Sequence, residues 1–435
     1  MMPAPFHGGV HPYEGKHLSR GSELTAPPAP AHVILPLRQH IGQPCIPCVK
    51  VGDTVQLGQR IADNEGLSAP IHASVSGTVL AIETRRHPVF GEMDAIVIAN
   101  DYRDTPCAHI QPPTEPAALT PQQLLAAIRR AGIVGMGGAA FPTDAKLRSG
   151  MGRVDTLIAN GCECEPYLTA DETLLRRRCG EVLAGLCLLQ RVLQPKTTVL
   201  AIEDNKPDAI AAVQSTLEQF PQVQLQVLPT RYPQGSEKQL IQSVTHREVP
   251  PGKLPGDVGC TVVNVATCHA AYRAVYEGRP LTERIVTVSG DAVAQPKNLL
   301  VPIGTPIGEL IKACGGLRDN AWKVIAGGPM MGIAQRDLDA PVIKSTGAIV
   351  CLSRAHEAAA GTACIRCGRC VRACPVHLQP LYLYRFACAA DYAALWRQHL
   401  TDCIECGCCS YICPAKLPLT EQFRSAKHAL KEAKL

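Results

Sequence analysis

Aromatic residues make up only 4% of this 435-residue chain. Stacking platforms for single-stranded nucleic acid need successive aromatic faces, so no nucleic-acid partner is expected. An excess of one charge is missing too. The net charge of +5 predicts neither a nucleic-acid surface nor a polybasic membrane patch. No stretch reaches the ~18 apolar residues that a bilayer-spanning helix requires. Met1 to His17 lacks the apolar core of a signal peptide. These absences predict a chain that is soluble by itself and that needs a partner to hold it at any membrane. Apolar residues at 46% and charged residues at 19% are a globular balance, and the length suits about three domains.

Cysteine, by contrast, is plentiful, with 21 residues. A disulfide frame does not fit so long a chain with cysteines this clustered, and a reducing compartment is expected. Eight of the 21 fall into two copies of one pattern near the C-terminus. The first is Cys364, Cys367, Cys370, Cys374 and Pro375; the second is Cys403, Cys406, Cys409, Cys413 and Pro414. Each reads C-x2-C-x2-C-x3-C-P, the spacing of bacterial two-cluster ferredoxins. Three cysteines two residues apart wrap one face of a cubane cluster, and the fourth ligates the other cluster. Cluster one is therefore assigned to Cys364, Cys367, Cys370 and Cys413. Cluster two is assigned to Cys403, Cys406, Cys409 and Cys374. Zinc sites show two separated pairs instead. Cys408 competes with Cys409 as a ligand, though the repeat favours Cys409, and Cys388 reads as packing.

Residues 1–30 carry Gly8-Gly9-Val10-His11-Pro12 and several prolines, which predict an extended arm. Nothing fixes His7, His11 and His17 as a metal site. Residues 31–100 alternate short apolar runs with turns: Val33–Leu37, Val51–Val55, Gly58–Ala62 and Val75–Val79. They resemble the barrel-sandwich fold of lipoyl and biotinyl carriers, with a hairpin tip expected near Ala69–Ala73. Such carriers attach their cofactor to a lysine, and no lysine occurs between Lys50 and Lys146. A structural or docking role is the better reading. Cys45 and Cys48 form a lone C-x2-C without a second pair.

A linker runs over 101–119. Thr120-Pro121 reads as N-cap and first residue of a helix with an apolar stripe at Leu124, Leu125 and Ile128, ended by Gly132. Gly135-Met136-Gly137-Gly138-Ala139-Ala140-Phe141-Pro142-Thr143 lets backbone N–H groups approach a phosphate or flavin, or is simply a tight turn. Residues 155–159, 197–202 and 223–228 read as strands, alternating with helices at 169–189 and 207–220. Val262–Thr267 reads as a strand end. Loops after strands gather on one edge of a parallel sheet, where ligands bind. Asn160, Glu163, Glu165, Glu237, Lys238 and Asn264 fall there. Leu419, Phe423 and Leu430 recur at helical spacing in a last helix from Pro418 to Leu435, which serves either docking or core packing.

In combination, the Gly-Gly-Val-His-Pro start, the β unit, the glycine loop, the Glu-Cys-Glu-Pro loop and the paired cysteine runs resemble C subunits of the Rnf (Rsx) electron-transport complex. Some relatives continue with an Ala/Lys-rich tail. The middle domain is similar to the NADH- and flavin-binding subunit of respiratory complex I. That resemblance implies FMN and NADH binding by Gly135, Gly137, Gly138, Phe141, Lys146, Asn160, Glu163, Glu165, Gly235, Glu237, Asn264 and Thr267. Phe141 would stack on the nicotinamide, Lys146 would balance phosphate charge, and Glu163 and Glu165 would bind ribose hydroxyls or tune the flavin. Ala140, Cys162 and Ser236 depart from that family's pattern. Residues 281–335 resemble the soluble-ligand-binding β-grasp module, through Val286–Gly290, Val301–Thr305 and Gly327-Gly328-Pro329.

The implied fold class is multidomain α/β and β. It comprises an arm (1–30), a barrel-sandwich β unit (31–100), an α/β flavin- and nucleotide-binding domain (120–270), a β-grasp module (281–335) and an α-helical two-cluster ferredoxin domain with a C-terminal helix (350–435). The implied function is an electron-input subunit of an ion-translocating oxidoreductase, peripheral on the cytoplasmic face of a bacterial inner membrane. Its partners would be the other proteins of the complex, NADH and a ferredoxin-like redox protein. Its cofactors would be FMN and two [4Fe-4S] clusters, which carry the chemistry, so no catalytic side chain is assigned. The alternatives are a soluble cobalamin reductase of the same modules, and a two-cluster relay that has lost nucleotide binding.

Overall fold

The computed structural model describes residues 6–108, 112, 115–357 and 360–432. The β unit holds β1 (His32–Pro36), β2 (Ile46–Pro47), β3 (Thr54–Val55), β4 (Arg60–Asp63), β5 (Ile71–His72), β6 (Gly77–His87) and β7 (Gly91–Asn100). They form a four-stranded antiparallel sheet, β1-β7-β6-β3, and a three-stranded one, β2-β4-β5. Alternation turns Val33 and Leu35 of β1 into the main core, while Ile34 packs with Ala95 and Val97 on the other face. The hairpin tip expected at Ala69–Ala73 is not there. Ala69, Ile71 and Ala73 are buried, and Ile71–His72 is a strand inside the unit. Three apolar side chains at alternate positions favour burial over exposure at a turn. The Pro70 carbonyl even accepts a hydrogen bond from buried Lys344, 2.6 Å away.

The next domain contains α1 (Pro121–Arg130), α2 (Thr143–Gly150), β8 (Thr156–Asn160), α3 (Ala170–Leu193), β9 (Thr197–Glu203), α4 (Pro207–Thr216), β10 (Gln224–Leu228), α5 (Glu237–Thr245), β11 (Cys260–Asn264) and α6 (Val265–Tyr276). Its sheet is fully parallel in the order β10-β9-β8-β11. Helix α1 begins at the Thr120 N-cap expected from the sequence, which Gln123 completes as a capping box, and Gly132 takes φ 66° just past its end. The reading of Val262–Thr267 as a strand end needs correcting at its last three residues. Asn264 closes β11 and its side chain caps α6 by accepting from Ala266 N, so Val265–Thr267 is helix. Gly185 of α3 lies against the Cys268 backbone of α6, a crossing too close for any Cβ.

A five-stranded sheet follows, ordered β13-β12-β16-β14-β15. It is built from β12 (Glu283–Ser289), β13 (Lys297–Pro302), β14 (Ala321–Ala326), β15 (Ile333–Ala334) and β16 (Ala348–Ser353), with α7 (Ile307–Ala313). Strand β16, C-terminal to position 335, lies in the middle of this sheet. The last region is helical: α8 (Arg369–Ala373), α9 (Pro380–Cys388), α10 (Tyr392–Arg397), α11 (Cys408–Ile412) and α12 (Leu419–Glu432). Helices α8 and α11 are equivalents, each entered through a left-handed glycine, Gly368 and Gly407. Leu419, Phe423 and Leu430 of α12 are buried in this region's core, so the stripe serves packing. Ala433–Leu435 lie outside the described residues. Among the described residues no helix is long and apolar enough to cross a membrane.

The N-terminal arm crosses three of these parts. Gly9 N donates to Ala373 O beside the cysteine runs, and Val10 pairs with Tyr232 of the α/β domain. Ser19 bonds Thr169 at 2.8 Å, in a buried network with Thr173, Thr287 and Asn298. Thr25 bridges Leu299 of the β-grasp sheet. Extended residues without their own core gain stability only by such docking.

Candidate functional site

Two sets of candidate residues gather in the structure, and Tyr232 joins them. The first gathers at the C-terminal edge of the parallel sheet. Asn160 and Asn264 end β8 and β11 side by side. The glycine loop arches over this edge, with Gly137 packed above the Asn264 side chain and Met136 N donating to Thr267 Oγ1 at 2.9 Å. Gly137, Gly138 and Ala139 are exposed, and among the described residues their N–H groups have no partner within the protein. Free amides on an exposed loop at a sheet edge suit an anionic group such as a flavin phosphate.

The remaining predicted residues knit the neighbouring loops together. Asn160 Nδ2 donates to Gly235 O at 2.8 Å, joining the loops after β8 and β10. Glu163, at φ 43°, caps α3 by accepting from the N–H groups of Asp171 (2.8 Å) and Glu172 (3.2 Å). Lys146 Nζ binds Glu237 at 2.6 Å and Val262 O at 2.7 Å. Asp171 accepts from Asn264 Nδ2 at 2.7 Å. Burial pushes the Asp171 carboxyl up to about 7, and the Glu163 charge beside it adds to the shift. Glu165 accepts from the N–H groups of Met330 and Met331 at 3.0 and 2.9 Å, which ties this edge to the β-grasp module. Burial raises its carboxyl to about 7, against the lowering pull of those two bonds.

Nothing in the sequence singles out Lys16 as a site residue. It is 2% exposed, and its ammonium donates to the carbonyls of Glu163 (2.8 Å), Glu165 (3.0 Å) and Leu168 (2.6 Å). One lysine from the arm thus holds the loop after β8 in shape. Burial lowers its pKa. No local signal marks it, because its partners lie 147 to 152 residues away in sequence. Cys162, one of the departures from the complex I pattern, is fully buried in the α/β core, beneath Gly235. Ala140 holds φ 51°, a left-handed position that a glycine occupies without strain.

The second set is the cysteines. Cys364, Cys367, Cys370 and Cys413 line one cavity, with Arg366, Tyr384 and Arg385. Cys374, Cys403, Cys406 and Cys409 line another, with Cys408. Each ring takes three cysteines from one run and the last from the other. Among the described residues no three His, Cys, Asp or Glu side chains gather around a point suited to a single ion. Thiols spread around a cavity fit a multi-iron cluster better than one zinc ion. Cys408 lines the same cavity but packs with Val10, Tyr232 and Cys406, whereas Cys409 packs with Cys374 and Cys413. Tyr232 joins the two sets: its hydroxyl donates to Cys406 O at 2.8 Å and lies 3.5 Å from Glu165 Oε1.

The other candidates do not assemble. His7 stacks on His377 at 4.3 Å, apart from His11 and His17. Cys45 turns inward beside His40 (3.5 Å), whereas Cys48 is exposed.

Comparison with known proteins matches this organisation. Residues 4–103 match the RnfC barrel sandwich hybrid domain, 128–273 the Nuo51 FMN-binding domain and 285–334 the SLBB domain. The chain is 46% identical over 382 residues to the C subunit of the proton-translocating ferredoxin:NAD(+) oxidoreductase complex of Clostridium ljungdahlii, covering 87% of this chain and 83% of that protein. The chain belongs to the family of C subunits of ion-translocating oxidoreductase (Rnf) complexes. The C subunit of the Na(+)-translocating ferredoxin:NAD(+) oxidoreductase complex of Acetobacterium woodii is 42% identical over 88% of this chain and 87% of its own length. Its counterpart in the ion-translocating oxidoreductase complex of Serratia proteamaculans is 43% identical over 98% of this chain, which spans 61% of that longer relative. Two structures of an NAD+-reducing [NiFe]-hydrogenase, air-oxidised and H2-reduced, share the fold. They are 22% and 21% identical, with TM-scores of 0.50 and 0.51, covering 63% and 73% of this chain and 54% and 62% of theirs. In this chain the barrel sandwich match precedes the FMN-binding match, in the order expected from the sequence.

Proposed function

We propose that this chain is the electron-input subunit of a membrane-associated complex that couples electron transfer between NADH and a ferredoxin-type partner to ion translocation. It would sit peripherally on the cytoplasmic face of a bacterial inner membrane. The observation that carries this reading is the link between the two sets of residues: Tyr232 joins Glu165, in the loop after β8, to Cys406 of a ring of four cysteines. When bound, FMN supplies the exchange between two-electron NADH and one-electron clusters.

The chain's own residues bind and orient. The amides of Gly137, Gly138 and Ala139 receive phosphate. Thr267 and Asn264 hold that loop over the sheet edge. Asn160 and Lys16 keep the loop after β8 against the Gly235 loop. Phe141 faces the nicotinamide. Glu163 and Glu165 act on flavin and ribose through the loop backbone they fix, since their carboxylates are already bonded to α3 and to the Met330-Met331 turn. The two cysteine rings hold one [4Fe-4S] cluster each, with Cys409 rather than Cys408 as ligand.

The test is anaerobic. Purified protein is loaded with iron, sulfide and FMN, then mixed with NADH while the visible spectrum is recorded. About eight irons per chain and flavin absorbance that bleaches with NADH are expected. Eight irons without any flavin uptake would leave a two-cluster relay.

A further inference from the structure

The two rings differ in what surrounds them. The ring of Cys374, Cys403, Cys406 and Cys409 is wedged between other parts of the chain. Tyr232 bonds Cys406 O, Gln239 Nε2 of α5 bonds Pro375 O at 3.1 Å, and Gly9 of the arm bonds Ala373 O. The Met330 carbonyl lies so near Gly407 that a Cβ there would sit 2.8 Å away. Its one acid within the run, Glu405, is neutralised by Arg424 and Lys427 at 3.2 and 2.7 Å.

The other ring faces outward. Cys364 and Cys367 are exposed, and Ile365 between them is 66% exposed. From Ala360 to Ala390 the chain has four arginines, one histidine and no aspartate or glutamate. Arg366, Arg369, Arg372 and Arg385 are all exposed, and among the described residues none is in a salt bridge. Four uncompensated positive charges, against a net +5 for the whole chain, therefore stand beside one ring. Compensation of the thiolates accounts for Arg366 and Arg385, which line the cavity. It does not account for Arg369 and Arg372, which lie outside the lining and point their charge at solvent.

We infer that the ring of Cys364, Cys367, Cys370 and Cys413 is the exchange point with an outside redox partner, and that its arginine face docks an acidic one-electron protein of the ferredoxin type. This rests on the reading above that the rings hold clusters. An exposed Ile365 among exposed arginines, beside an outward-facing ring, matches an acidic partner in sign. The transfer moves one electron: the cluster in this ring is oxidised by one and the partner's centre reduced by one, or the reverse. No bond forms or breaks and no proton moves.

The test uses the iron-loaded full chain and a small acidic two-cluster ferredoxin as probe. Binding is measured by calorimetry at ~0.02 M and ~0.3 M ionic strength, where screening differs several-fold in range. Iron is counted for every variant, so failure to load clusters, which would sink the underlying reading, is seen separately. The double variant Arg369→Glu, Arg372→Glu is expected to keep its iron and to bind at least about tenfold more weakly at low salt, and wild-type binding is expected to fall steeply with salt. Arg103→Glu, exposed on the β unit, should bind as wild type. Should the double variant lose iron, Arg372→Gln, which removes the charge without adding an acid between Cys370 and Cys374, takes its place with a roughly threefold or greater loss expected. Undiminished ferredoxin binding in an iron-replete variant, or salt-independent wild-type binding, overturns the inference.

Discussion

The two cysteine runs are nearly the same sentence written twice, yet the rings they build live in different surroundings. One is packed under an arm, a tyrosine and a methionine turn; the other is open to solvent beneath arginines. A ligand motif specifies which atoms can hold a cluster. Burial, hydrogen bonds and solvent access around the sulfurs set how that cluster behaves. Those come from contacts that no spacing encodes.

The comparison can be broken most forcefully at the ligands. Cys406→Ser and Cys367→Ser should each lower the iron content from about eight to about four per chain. Only Cys406→Ser should also loosen the union of the cysteine region with the α/β domain. Its melting temperature is expected to fall by roughly 5 °C more than that of Cys367→Ser, because metal binding and folding are linked where the ring is built into the core. Equal losses would show that both rings are energetically peripheral.

Next in size is the arm. Lys16→Met removes three hydrogen bonds to buried carbonyls and should cost about 2–4 kcal/mol in urea unfolding, part of the loss being offset by relief of a buried charge. FMN should dissociate faster on gel filtration, while the exposed ring keeps its iron. Unaltered flavin retention would detach the arm from the site.

A smaller effect is read with pH. Asp171 and Glu165 are both held up to about 7, so between about pH 4.5 and 7 the folded chain binds more protons than the unfolded one. Stability contributed by these groups is therefore present at low pH and lost as pH rises through that window. Thermal melts at about pH 5 and 8 should show the loss, and Glu165→Gln should flatten it. A slope that the variant leaves unchanged would assign the titration elsewhere.

The smallest effect sharpens the contrast. Tyr232→Phe deletes the hydroxyl that meets Cys406 O and should cost about 1 kcal/mol. In an electron paramagnetic resonance redox titration it should shift the potential of one cluster and leave the other unmoved. Two shifted clusters would contradict the separate surroundings.

Local chemistry is legible wherever its cause is local. The Thr120-Pro121 start of α1, the strands at 156–160 and 197–203, and the crossed cysteine sets follow from caps, apolar runs and ligand spacing. The segment Ala69–Ala73 reads wrongly as a tip because its place comes from the likeness to carrier domains, against three alternate apolar residues whose partners are remote. The start of helix α6 is hidden because Val265-Ala266-Thr267 continues an apolar strand without a break. Only the Asn264 cap separates them, and a cap is visible only once the chain has turned.

By itself the sequence determined the spacing of the cysteines, their repetition as two runs of four, the order of the modules and the absence of any apolar run of bilayer length. It did so because those properties depend on residue identity and short spacing. Only the tertiary structure decided that Lys16 locks a loop 147 to 152 residues away, that Glu165 bonds the Met330-Met331 turn, and that one ring is buried against Tyr232 while its twin faces solvent. Such contacts join positions far apart in sequence, and their strength comes from burial, which exists only when the whole core has closed.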